Sequence, residues 1–93
     1  MKIIQSGSSE RKVKRFRKQE KKILDGQIRK IAGNLAIGQE KKGDLRGVYV
    51  HKFEIQTIQY LLAYRFVCDD LELIMIGPHE NYYRNLKTYL KSK

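Results

Sequence analysis

Apolar residues fall at Val13, Phe16, Ile23, Leu24, Ile28, Ile31, Ala32 and Leu35. Steps of four, three and four from Leu24 to Leu35 mark one stripe of a helix. Nothing apolar lies between Phe16 and Ile23, so the segment splits. The pattern predicts two helices, over 9–18 and 20–35, folded as a hairpin around Lys18–Glu20. Ser8 or Ser9 is placed to cap the first. Gly26 and Gly33 sit inside the second and weaken it. Ahead of them, residues 2–5 read as a short edge strand and Ser6–Ser9 as a loop.

From Val48 the period changes. Tyr49, His51, Phe53 and Ile55 alternate with Val50, Lys52 and Glu54, which predicts a strand over 48–55. Ile58–Val67 and Leu71–Ile76 read as two more. Short connections at Gln56–Thr57 and Cys68–Asp70 predict an antiparallel meander. Gly77-Pro78 stops the last strand, and proline suits a first helical turn. Tyr82, Leu86, Tyr89 and Leu90 then form a helical stripe. Ala36–Gly47, with three of the seven glycines, reads as a loop. The expected order is β-α-α-β-β-β-α. This is a single α+β domain over 1–93, a small antiparallel sheet with an N-terminal helix hairpin and a C-terminal helix.

Composition adds a partner class. Ninety-three residues suit one domain, and 41% apolar content suits one core. The longest uncharged, mostly apolar run is Ile55–Tyr64, far short of the roughly 20 residues of a spanning helix. The N-terminus carries no secretion pattern, and the lone Cys68 cannot form an internal disulfide. Both fit the cytoplasm. Twenty Lys+Arg against ten Asp+Glu give +10, and eight of the twelve residues 11–22 are basic. Such an excess attracts polyanions by counterion release, and we read nucleic acid ahead of a membrane surface.

The order of elements, with EKKGDLRGVYVHKFEI, then LLAYRF, then LELIMIGPHENYYRNLK, resembles the RelE/ParE superfamily of bacterial toxins. The telling stretches are Gly-x-Leu-x-Gly at 43–47 feeding a strand with a lysine, and His-x-x-x-Tyr at 79–83. The resemblance covers nearly the whole chain. It implies the toxin of a type II toxin–antitoxin pair, with a cognate antitoxin as partner. Two activities occur in the superfamily. One branch cuts mRNA on the ribosome; the other poisons DNA gyrase without being a nuclease.

RNA can be cut without metal if a base, an acid and cations surround the 2′-oxygen and its phosphate. Two histidines and one cysteine without ligand spacing argue against a metal site, and no cofactor is expected. His79, at an expected helix N-terminus, is the first candidate for proton transfer; a capping or exposed histidine would look the same. The resemblance implies acid–base work for a histidine there. Tyr83, four residues on, would share its face and serve as base or stacking platform, or simply pack. Lys52 lies opposite His51 on its strand; the resemblance implies a lysine that steadies phosphate charge.

Arg84 and Arg65 are the guanidiniums available to clamp a phosphate. The chain departs from the nuclease pattern at Tyr60-Leu61-Leu62, where those enzymes carry an arginine. Lys41, Lys42 and Arg46 flank the glycine loop, and Lys12, Arg15, Lys18, Lys21 and Lys22 lie on the hairpin. These eight are assigned to backbone phosphates, or to a solvated basic surface.

Overall fold

The computed structural model describes residues 2–34, 37–41, 43 and 47–91. Its elements are β1 (Ile3–Gln5), α1 (Gly7–Lys14), α2 (Lys18–Gly33), β2 (Gln39–Glu40), β3 (Tyr49–Ile55), β4 (Ile58–Val67), β5 (Asp70–Pro78) and α3 (Tyr82–Lys91). The α+β class and the expected order hold. The sheet differs from expectation in being mixed and five-stranded, in the order β1-β5-β4-β3-β2. β3, β4 and β5 form the expected antiparallel meander, and β1 joins its edge parallel to β5. The two-residue β2, inside the expected loop, pairs with Tyr49 and Val50.

Both hairpins turn on two residues of positive φ, Gln56 and Thr57 in one and Cys68 and Asp69 in the other. That handedness matches the twist of the flanking strands, which is why the turns are so short.

Alternation gives the sheet two buried faces. On one, Phe53, Ile55, Leu62, Tyr64, Leu71, Leu73 and Ile76 pack against Phe16, Leu24, Ile28 and Ile31 of the hairpin. On the other, Val48, Val50, Leu61, Ala63 and Ile74 pack against Tyr82 and Leu86 of α3. Leu71, Leu73, Ile74 and Ile76 cannot serve both cores by strict alternation. A bulge resolves this: Leu73 pairs with Tyr64 and Met75 with Ala63, leaving Ile74 as the extra residue. Beyond it the parity reverses, so Ile76 joins the first core.

A bulge frees backbone carbonyls, and here side chains take them. The Ser6 hydroxyl donates to the Ile74 carbonyl. The Tyr82 hydroxyl donates to the Met75 carbonyl at 2.6 Å. Ser6 also caps α1, accepting from the Ser9 amide at 3.1 Å. The cap is therefore Ser6 and not Ser8 or Ser9, because only Ser6 sits where β1 ends beside the bulge.

The helix break also moves. It falls at Arg15–Arg17 and not around Lys18–Glu20, because Glu20 is the third residue of α2 and reaches back to the Arg17 amide at 2.7 Å. Phe16, in the break, is buried. α3 begins at Tyr82 and not at Pro78. Pro78 ends β5, where its missing N–H is tolerated. Asn81, with φ 58°, holds the intervening turn in the left-handed region that asparagine tolerates and a helix excludes.

Two substitutions test this packing by chemical denaturation. Leu73→Asp, which buries a charge in the first core, abolishes cooperative folding, while Asp at the exposed Ile58 leaves the fold intact. Ser6→Ala removes the cap and the bulge contact together and costs about 1–3 kcal/mol.

Candidate nucleic-acid site on the α3 face

β3 carries Lys52 on the α3 side, beyond the buried Val50. His51 faces the other way, where its Nε2 lies 2.7 Å from Gln27 Oε1 of α2. The two thus lie on opposite faces, as alternation predicts. β2 sets the next residue: its pairing with β3, extended by the Lys41 amide donating to the Val48 carbonyl at 2.9 Å, carries Lys41 to the sheet edge. From the helix side, Tyr83 comes down beside the same edge. Lys41, Lys52 and Tyr83, with Ile37, Gln39, Val50 and His51, line an open cavity of about 330 Å³; the His51 ring nonetheless turns to Gln27 on the other face. Lys41 Nζ sits 4.9 Å from the centroid of the Tyr83 ring, a cation–π contact.

His79, just past the end of β5, lies outside that lining and, among the described residues, meets the group through Tyr83 alone. Its amide donates to the Gln59 carbonyl at 3.2 Å and its carbonyl accepts from Tyr82 at 3.2 Å. Its exposed ring meets Tyr83 edge to face, with centroids 6.5 Å apart. His79 stands three residues ahead of α3 and not in its first turn, so the helix-terminus argument made from sequence does not apply to it. Tyr83 is also braced edge-on by Tyr82, at 5.7 Å. Burial pushes the Tyr82 phenol well above its ordinary pKa, which keeps it a neutral hydrogen-bond donor.

The remaining candidates separate. Arg65 lies four residues beyond Leu61, the partner of Lys52, which puts it about 13 Å away along the strand. It is ion-paired with Glu72 instead. Leu61 is fully buried, so nothing cationic stands beside Lys52 on β4. Arg84 is exposed on α3, away from the cavity lining. Lys18 opens α2 and is exposed. Lys12 and Arg15 line a different groove, together with Arg11, which the sequence reading passed over. Lys42 and Arg46 lie outside the described residues.

Cation-lined cavity, mixed sheet and flanking helices define a small basic α+β protein of a recognisable class. The profile of the ParE-like toxins of type II bacterial toxin–antitoxin systems matches residues 3–87. The chain belongs to that family. In fold it is similar to the toxin in the intact E. coli RelBE toxin–antitoxin complex, with TM-score 0.67 and 14% identity over 85% of this chain and 96% of that one. It is also similar to the isolated E. coli RelE toxin, with TM-score 0.65 and 14% identity over 94% of this chain and 96% of that one. No curated protein sequence matches it. Among the described residues no helix is long and apolar enough to cross a membrane.

Two measurements check the frame around the cavity. Tyr82→Phe removes the bond that ties α3 to β5 and costs about 1 kcal/mol by denaturant unfolding. His51 bears on pH. Burial, then the nearby Lys30 charge, lowers its pKa below the ordinary 6.5, so the folded chain favours the neutral ring. Its contribution is present above pH 6.5 and is lost as pH falls towards the lower folded value. Tm therefore drops on acidification below neutrality, and His51→Gln flattens that drop.

Proposed function

We propose that this toxin cleaves mRNA on the ribosome by a metal-independent reaction centred on the α3-face cavity. The observation that carries this reading is the cavity lined by Lys41, Lys52 and Tyr83, with the His79 ring set against Tyr83 beside it. In the reaction the 2′-oxygen bonds to its own phosphorus while the bond from phosphorus to the 5′-oxygen breaks. His79 takes the 2′-hydroxyl proton. The Tyr83 hydroxyl returns a proton to the leaving 5′-oxygen. Lys52 and Lys41 balance the charge that grows on the phosphate oxygens. Tyr83 has a second task, because its ring face holds Lys41 in place. Arg84 and Arg65 take no part in this scheme, the one facing solvent and the other held by Glu72. A cognate antitoxin would oppose the toxin in the cytoplasm, its acidic or amphipathic segment matched to the +10 charge.

A gyrase poison is the second reading. The apolar Leu61 beside Lys52 favours it, because the nuclease scheme lacks a guanidinium there. That reading needs neither His79 nor Lys52.

Expression in cells, followed by transcript mapping and DNA break assays, separates the two. The nuclease reading predicts translation-dependent cleavage that falls by about 10²-fold or more in His79→Ala and Lys52→Ala, with folding retained. Intact transcripts alongside double-strand DNA breaks would establish the poison instead.

A further inference from the structure

A second groove, of about 310 Å³, opens between α1 and the β5–α3 junction. It is separate from the cavity of Lys41 and Lys52 and shares none of its lining residues. One wall is cationic: Arg11 and Lys12 project from α1 and Arg15 from its C-cap, with Arg11 and Arg15 four residues apart. None of the three takes part in an ion pair among the described residues. The floor is formed by the half-buried Met75 and the exposed Pro78, with the backbone of the buried Ile76 and Gly77 between them. Glu80 and Asn85 stand on the remaining side. Pro78 and Glu80 flank His79 in the chain, so the groove begins where the proposed reaction centre ends.

Each part of this arrangement matches a part of a nucleotide. Two guanidiniums suit a phosphate, which they can grip through paired hydrogen bonds. An apolar floor suits the face of a base. A carboxylate and an amide suit base edges, with the carboxylate accepting from an exocyclic amino group.

We propose that this groove is a nucleotide subsite for single-stranded RNA. The backbone phosphate lies between Arg11 and Arg15, the base lies on the Met75–Pro78 floor, and Glu80 and Asn85 read its edge. The proposal rests on the nuclease reading for its direction, since it places the neighbouring nucleotide beside His79. An acidic peptide is the rival occupant. The apolar floor and the base-edge groups favour the nucleotide, because a run of carboxylates would meet Glu80 and gain nothing from the floor.

The test is equilibrium binding of a short 2′-O-methyl oligoribonucleotide, which cannot be cut, across a salt series. Arg11→Gln with Arg15→Gln weakens binding about tenfold and reduces the slope of log K against log salt by about 0.7, one phosphate contact on a single strand. Asn85→Trp, an exposed change that fills the groove without altering charge, weakens binding and leaves the slope unchanged. A matched pair outside the groove, Lys87→Gln with Lys91→Gln on the exposed side of α3, has a much smaller effect. Equal losses in the two double variants would overturn the proposal. So would a polyglutamate peptide of equal charge that binds as tightly and is weakened equally by Arg11→Gln with Arg15→Gln. If wild-type protein cuts no transcript yet the groove variants behave as described, the subsite stands and the nuclease reading falls.

Discussion

One irregularity in the sheet, the bulge at Ile74, fixes the position of everything around it. It reverses the parity of β5, so a nearly continuous apolar strand can supply two cores. It also leaves two adjacent carbonyls for side chains to satisfy. Ser6, at the mouth of α1, takes the Ile74 carbonyl, and Tyr82, in the first turn of α3, takes that of Met75. Buried polar groups of this kind are costly when unpaired. The bulge therefore ties helices on opposite faces to the same point of the same strand.

The consequence for chemistry is positional. With Tyr82 anchored, its neighbour Tyr83 is placed at the sheet edge, where it meets His79 on one side and carries Lys41 on its ring. Gly77 lies beneath Tyr82, where a Cβ would make ordinary van der Waals contact with the ring at 3.6 Å. The larger first core, between the hairpin and the sheet, contributes stability and leaves the α3 face free to hold polar groups. α3 itself is held by a smaller cluster and a hydroxyl bond, so local opening is expected first at this helix.

Much of this was legible from residue order. Alternation located β3, and apolar and aromatic runs bounded by short turns located β4 and β5, within a residue or two at each end; the alternation in β3 also separated Lys52 from His51. His79 and Tyr83 were paired on the right face, although by a turn and not by a shared helix. Other features depended on contacts distant in sequence. The capping role of Ser6 is set by the end of β1 against the bulge, while Ser8 and Ser9 offer the same hydroxyl two and three residues away. Arg65 looked available until its strand partner, Glu72, came from β5. β2 is too short to show a period, yet its two residues deliver Lys41 to the cavity. Arg11 could have been found from its four-residue spacing to Arg15; the density of charge from 11 to 22 hid it.

The central claim is that ribonucleotide chains engage the α3 face, not the more basic hairpin surface of α2. Side-chain NMR of the histidines and tyrosines during titration with a non-cleavable oligoribonucleotide tests it directly. The account predicts that His79 and Tyr83 shift together and furthest, while His51, which borders the cavity but whose ring is held against Gln27 on the opposite face, shifts less. Movement of His51 with His79 and Tyr83 unchanged would contradict it.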